Sequence, residues 1–160
     1  MNRLRRSVLL AAAFVAALPA LAIAADVADP LVGTWKLNLA KSTFRPGPGP
    51  KGQLRIYRRS EDAEQLVSRG VGADGKPTLV QYTARYDGKD HHMTGSSGGD
   101  QIELKRIDAL TTQSIQKRGG KSEITALRTV SQDGRTLTVV TKGTTAGGEP
   151  IDATMVFDRN

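Results

Sequence analysis

Two arginines occupy positions at which a β-strand would turn them toward an apolar interior. Arg106 comes two residues after Leu104, and Arg128 comes two residues after Ala126. Alternate residues of a strand share one face, so both guanidinium groups are predicted to enter or rim the interior. A buried guanidinium is unfavourable unless it is paired, and each therefore needs a carboxylate from the protein or from a ligand. The alternative is that both lie at strand ends, or beyond a bulge, and reach solvent.

Two tyrosines join this candidate site. The segment from Thr78 to Tyr86 alternates apolar and polar residues, which places Tyr82 and Tyr86 on one face. We predict a ligand-binding set of four residues, namely Arg106, Arg128, Tyr82 and Tyr86. The expected partner is a small hydrophobic or amphipathic anionic molecule, lipid-like in character, whose head group the arginines orient.

Two matches to enzyme motifs lack the structural context that each motif needs. Residues 47–52 fit G-x-G-x-x-G, but Pro48 and Pro50 have no N–H to offer a pyrophosphate and a strand pattern follows. Residues 95–99 fit G-x-S-x-G, but a strand rather than a helix follows and no histidine comes after Ser97. A stiff loop and a hairpin turn account for these segments, and we predict that the protein is not an enzyme.

The histidines are confined to His91 and His92. Adjacent residues of a strand point to opposite faces, so the two rings cannot chelate one metal ion without a bulge. The sequence has no cysteine and no spaced carboxylate–histidine cluster. We therefore predict no metal site and no cofactor, and keep a haem- or histidine-dependent barrel as an alternative.

The elements that position these residues are predicted to be strands. Turn-forming pairs such as Asp74-Gly75, Asp87-Gly88 and Asp133-Gly134 separate about ten short alternating segments. Most segments are apolar on one face alone, and the chain contains no long helical pattern that would cover an open sheet. Wrapping the sheet on itself encloses the apolar faces and removes the edges. The predicted fold is therefore all-β, a single antiparallel up-and-down barrel.

The first 25 residues have the pattern of a cleavable signal peptide. Three arginines precede a short apolar run, and Ala22-Ile23-Ala24 supplies the small residues of a cleavage site. We predict a signal peptide at 1–25 and one barrel domain at 26–160. Removing the leader lowers the formal charge from +7 to about +4. The mature protein is expected to be periplasmic or secreted and monomeric, without a lipid anchor or an integral membrane segment, and without nucleic acid as a partner.

The run Gly33-Thr34-Trp35-Lys36-Leu37 resembles the G-x-W signature on the first strand of lipocalins and fatty-acid-binding proteins. The resemblance extends over most of the segment from Gly33 to Asn160 and includes small exported bacterial proteins with a lipocalin-like domain. It implies that Trp35 plugs one end of the barrel and that Arg159, in phase with Phe157, stacks on it. The Arg-x-Tyr carboxylate clamp and the helical lid of fatty-acid-binding proteins have no counterpart in this sequence.

A second function stays open at this point. Arg55, Tyr57 and Arg59 alternate with Leu54 and Ile56, so they are interpreted as a basic ladder on the outer face. An interaction module with a filled interior would use this ladder to contact an anionic envelope component or a protein partner.

Overall fold

The computed structural model of the protein describes residues 28–119, 121–145 and 147–160. The predicted signal peptide at 1–25 lies outside these residues. Within the described ranges, no helix has the length and apolar character that crossing a bilayer requires.

Ten antiparallel strands follow one another around a closed barrel, and the last strand pairs with the first. The strands are β1 (Gly33–Leu37), β2 (Gly52–Ser60), β3 (Ala63–Val71), β4 (Pro77–Arg85), β5 (Asp90–Thr94), β6 (Gln101–Arg106), β7 (Thr111–Arg118), β8 (Lys121–Val130), β9 (Thr136–Thr144) and β10 (Pro150–Arg159). One three-residue 3-10 helix, Leu39–Lys41, follows β1. The predicted single up-and-down antiparallel barrel is confirmed.

The tight hairpin between β8 and β9 illustrates how local chemistry sets the strand order. Gly134 has a φ of +69°, a conformation that glycine adopts without a steric penalty. The carboxylate of Asp133 accepts hydrogen bonds from the Ser131 hydroxyl at 2.6 Å and from the Arg135 backbone N–H at 3.0 Å. A turn fixed in this way joins neighbouring antiparallel strands, and repetition of such hairpins gives the up-and-down order.

The barrel core is formed by the interior faces predicted from alternation. In β4, Tyr82 and Ala84 are buried, and in β8, Ala126, Arg128 and Val130 are buried. The largest fully buried side chains include Trp35, Tyr57, Phe157, Ile102, Leu104 and Leu137. The interior is therefore apolar along most strands, with a small number of charged and hydroxyl side chains among them.

The predicted orientation of β2 was wrong. Tyr57 is only 2% exposed and packs in the core, while Leu54 and Ile56 are half-buried on the opposite face. Arg55 shares the inward face with Tyr57, and its guanidinium lies 4.7 Å from the centroid of the Phe157 ring. The outer basic ladder thus does not exist as predicted. The tyrosine ring removes more apolar surface from water when it points inward than Leu54 or Ile56 would in its place.

Candidate ligand-binding site

One end of the barrel is closed by Trp35. Its indole is fully buried and donates a hydrogen bond of 2.8 Å from Nε1 to the Leu31 carbonyl. The Arg159 guanidinium lies 4.2 Å from the indole centroid, a distance at which a cation is attracted to the ring. Gly33 lies against this pair, and a Cβ at Gly33 would clash with Arg159 Nη1. The structure thus places Trp35, Arg159 and Gly33 together at the closed end.

Arg159 is satisfied by the backbone alone. Its guanidinium donates three hydrogen bonds to carbonyl oxygens, at 2.5 Å to Gly134, 3.0 Å to Val32 and 2.7 Å to Pro30. These contacts attach the segment before β1 to the turn between β8 and β9 and hold it across the end of the barrel. The role of this arginine is therefore structural.

A cavity of about 220 Å³ lies between the strands, lined by interior side chains of the barrel. Its lining includes six apolar side chains, Leu66, Val80, Met93, Ile102, Val139 and Met155. The loop after β5 lies at the rim, where the Ser96 hydroxyl donates a 2.7 Å hydrogen bond to the Gln116 amide oxygen. The lining also carries hydroxyl and amide side chains together with Arg55 and Arg128, so a chamber of mixed polarity contains two cationic groups.

Arg128 belongs to a buried polar cluster. Its Nη1 donates hydrogen bonds to Glu64 Oε1 at 2.6 Å and to the Tyr82 hydroxyl oxygen at 3.0 Å. The Tyr82 hydroxyl donates to the same Glu64 oxygen at 2.5 Å, and the Tyr86 hydroxyl donates to Glu64 Oε2. Glu64 thereby accepts hydrogen bonds on both carboxylate oxygens while its charge is paired with Arg128. A carboxylate from the protein or from a ligand was predicted to pair with Arg128, and Glu64 of the protein supplies it.

The protonation states of this cluster follow from its environment. Burial alone would raise the pKa of Glu64, but the charge of Arg128 and the hydrogen bonds from Arg128, Tyr82 and Tyr86 lower it below the ordinary value. Burial and the Glu64 charge raise the pKa of Tyr82 and of Tyr86. Burial opposes the charged form of Arg128, but Glu64 and the surrounding tyrosines raise its pKa well above the ordinary value. Glu64 therefore stays anionic, and both tyrosines stay hydrogen-bond donors, at neutral pH.

Several polar atoms near the cavity have no hydrogen-bond partner among the described residues. They are Arg128 Nε and Nη2, Ser68 Oγ, Thr141 Oγ1 and Thr112 Oγ1. All of these except Thr112 belong to residues that line the cavity. A buried donor without a partner costs about 1–3 kcal/mol, and these atoms are closed to solvent, so they lie behind the surface of the cavity and not on it.

Arg55 is the second cation of the cavity lining. Its Nε donates to the Gln53 amide oxygen at 3.2 Å, and its Nη2 lies 3.9 Å from the Met155 sulfur. No carboxylate of the described residues forms an ion pair with it, whereas Arg128 is paired with Glu64. Of the two guanidinium groups in the lining, that of Arg128 is paired with a carboxylate and that of Arg55 is not. The lining therefore carries one positive charge in excess.

The four predicted ligand-binding residues do not all meet at this cavity. Arg128 and Tyr82 line it, while Tyr86 lies behind it on the far side of Glu64. Arg106 does not line it: this residue pairs with Asp29, and its guanidinium lies 4.5 Å from the centroid of the Tyr86 ring. The reason is that β6 ends at Arg106, so this side chain leaves the interior and reaches the segment that precedes β1.

The histidines lie away from the cavity. His91 Nε2 is 2.9 Å from Asp87 Oδ1 on the β4–β5 hairpin, and His92 is exposed. Across the part of the chain that the structure describes, no group of three or more His, Cys, Asp or Glu side chains is placed to hold a metal ion. The alternative of a haem- or histidine-dependent barrel gains no support from this geometry.

Sequence reasoning missed Glu64, Arg55 and Ser68. β3 begins at Ala63 and therefore includes Glu64. Extending the inward alternation of Leu66 by two residues in each direction reaches Glu64 and Ser68, which was the available signal. Arg55 was missed because β2 was assigned the opposite orientation.

Neither a scan against protein-family models nor a search of curated proteins finds a match to this chain. The proposal for the function of this protein therefore rests on the geometry of the site.

Proposed function

We propose that the protein is a non-catalytic barrel that binds a small hydrophobic or amphipathic anion in its interior. The observation that carries the proposal is the cavity of about 220 Å³ whose lining holds two arginines, of which Glu64 neutralises only one. A partly enclosed chamber with one uncompensated positive charge favours an anionic guest. Its apolar walls supply affinity for the rest of the molecule.

The lining favours binding over catalysis. General acid–base chemistry needs a group that exchanges protons near neutral pH and reaches the substrate. The described residues that line the cavity include no histidine, cysteine, aspartate or glutamate. Glu64 lies behind Arg128 and Tyr82, and its lowered pKa keeps it unprotonated. These properties suit a receptor that holds its ligand unchanged.

The sequence supports a finer assignment. The G-x-W run at Gly33–Trp35, the closed barrel, and the stacking of Arg159 on Trp35 are similar to features of lipocalins and fatty-acid-binding proteins. The leader pattern at 1–25 adds the proposal of export to the periplasm or beyond. A monomeric carrier or sensor outside the cytoplasm is consistent with these features.

The test compares benzoate with benzamide, a neutral molecule of nearly the same shape, by isothermal titration calorimetry. We expect benzoate to bind and benzamide to bind at least about 10-fold more weakly, because a charge-assisted hydrogen bond contributes about 1.5–3 kcal/mol. Arg55→Gln should weaken benzoate binding by about 10-fold and leave benzamide nearly unchanged. Arg69→Gln is the matched control, since it removes the same charge from an exposed position on β3.

Two results would contradict the proposal. The first is absence of binding heat and of any change in melting temperature with benzoate and with dodecanoate. The second is equal loss of benzoate affinity in Arg55→Gln and Arg69→Gln, because the anion would then respond to the overall charge of the surface and not to the cavity.

A further inference from the structure

We infer that the outer face of β1–β4 binds the surface of an anionic lipid bilayer. This face consists of the outward side chains of the four strands, which alternate along each strand with buried residues such as Trp35, Leu66 and Tyr82. It lies outside the barrel, so the inference goes beyond the proposed function of the cavity. The sign of its charges, the apolar side chains between its cations and its lack of aromatic rings carry the inference.

The charges of the outer face of β1–β4 are all positive. Its charged residues are Lys36, Arg58, Arg69 and Arg85, one on each strand and all exposed, and its outward positions hold no aspartate or glutamate. Arg85 pairs with Asp62 at 2.9 Å, whereas the other three form no ion pair among the described residues. Each Lys or Arg held near an anionic bilayer strengthens adsorption by about 5-fold.

Apolar side chains lie between these cations. Leu54 stands between Lys36 and Arg69 in the register of the sheet. On its other side, Arg69 stands opposite Leu79, which is 51% exposed. Residues directly opposite each other on neighbouring strands share one face and lie about 5 Å apart, so a partner that meets the cations also meets the apolar groups. The interfacial region of an anionic bilayer accommodates both kinds of side chain together.

The composition of the face favours a bilayer over a folded protein as the partner. Protein interfaces are commonly anchored by aromatic side chains that fill pockets, and the outward positions of β1–β4 contain no Trp, Tyr or Phe. Adsorption to a bilayer depends on apolar area and charge and needs no shaped pocket. A symmetric dimer through this face is disfavoured, because it would bring two positive faces together.

The outer face of β9 and β10 differs from this one in the sign of its charges. It carries Lys142 together with Asp152 and Asp158, and Lys142 stands opposite Asp152. Asp158, which borders β1, is already engaged by Asn38 Nδ2 at 2.6 Å and by Lys41 Nζ at 3.3 Å. An anionic surface should therefore orient the barrel with β1–β4 toward it.

The experiment measures co-sedimentation of the protein with phosphatidylcholine vesicles, prepared with or without an equal amount of phosphatidylglycerol, at low ionic strength. We expect adsorption to the vesicles that contain phosphatidylglycerol, and Arg58→Gln/Arg69→Gln should weaken it by about 20-fold. The matched control is Lys121→Gln/Lys142→Gln, which removes the same number of charges from exposed positions on β8 and β9. It should weaken adsorption by about 2-fold at most.

A second pair of variants tests the apolar part of the face. Leu79→Ser should weaken adsorption by about 3-fold, because part of this side chain leaves water at the bilayer surface. Leu127→Ser is the control, since Leu127 is 40% exposed but lies on β8, outside the outer face of β1–β4. It should adsorb as the unchanged protein does.

Three results would overturn the inference. They are the absence of adsorption to vesicles that contain phosphatidylglycerol, equal adsorption to vesicles without it, and equal weakening by the arginine variant and its lysine control. Tighter binding to soluble polyglutamate than to these vesicles would also overturn it, and would identify an acidic protein as the partner. None of these results bears on the proposed function, because Arg58, Arg69 and Leu79 do not line the cavity.

Discussion

Arg159 at the closed end and Arg128 beside the cavity both need hydrogen-bond partners for their guanidinium groups, and they obtain them in different ways. Both guanidinium groups lie over an aromatic ring, at 4.2 Å from the Trp35 centroid and at 5.6 Å from the Tyr57 centroid. Arg159 directs all three of its nitrogens at backbone carbonyls. Arg128 uses one nitrogen for Glu64 and Tyr82 and leaves Nε and Nη2 without a partner among the described residues.

The difference separates an arginine held by backbone carbonyls from an arginine held by other buried side chains. Backbone carbonyls are fixed by the fold itself, so Arg159 is satisfied whenever the barrel is closed. Arg128 depends on a carboxylate that is itself buried and on tyrosines that must keep their protons. Changes at the closed end should therefore alter stability without altering affinity, and changes at the cavity should affect both or affect affinity alone.

The largest effect is expected for the buried ion pair. Glu64→Gln should lower the free energy of unfolding by about 3–5 kcal/mol, because it leaves the charge of Arg128 buried and unpaired. Urea unfolding followed by Trp35 fluorescence measures the loss. Glu149→Gln, which removes an exposed carboxylate, should change stability little.

A double variant tests whether the unpaired charge of Arg128 causes this loss of stability. Glu64→Gln/Arg128→Met removes both charges, and replacement of a buried pair by apolar groups is often neutral or stabilising. We expect most of the lost stability to return. A double variant as unstable as the single one would show that the cluster is held by the tyrosine hydrogen bonds more than by the ion pair.

A smaller effect is expected at the closed end. Arg159→Met should lower the free energy of unfolding by about 1–2 kcal/mol, since it removes the cation–π contact and three partly exposed hydrogen bonds. The affinity for benzoate should be the same as in the unchanged protein, because Arg159 does not line the cavity. Lower affinity at unchanged stability would contradict the division between the two ends.

The smallest effect concerns pH. The pKa of Glu64 is lowered in the folded state from an ordinary value of 4.5, so its contribution to stability is present above that value and is lost as the pH falls through the folded pKa. We expect melting temperature to fall less steeply on acidification in Glu64→Gln/Arg128→Met than in the unchanged protein. The melting temperature of both proteins should still fall somewhat on acidification, because Glu103 and other carboxylates also have a lowered pKa.

The closed barrel was predictable from sequence because repeated turns and one-sided alternation leave few other folds. The inward orientation of Arg128 was predictable in the same way, since Ala126 and Val130 flank it on one face. The orientation of β2 was not predictable, because Leu54 and Ile56 make one face more apolar than the face with Arg55 and Tyr57, yet Tyr57 is the buried residue. Alternation divides a strand into two faces but does not say which face is inside when both are mixed.

The Glu64–Arg128 pair was beyond the reach of sequence reasoning for a different reason. The two residues are 64 positions apart and lie on β3 and β8, which are not neighbours in the sheet. Their contact arises only when the sheet curls and brings the interior side chains of distant strands together. The partner of Arg106 was hidden likewise, because Asp29 precedes the first strand.

The pairing of β1 with β10 also has a consequence for how the molecule is made. Trp35 stands opposite Arg159 in the register of these strands. One edge of β1 can pair with β2 early, but the other edge stays unpaired until β10, at the end of the chain, has folded against it. Long-range closure of this kind is slow, and until it occurs the exposed strand edges can recruit other chains. A chain shortened by its final strand would therefore be prone to aggregate, and its interior chamber would not form.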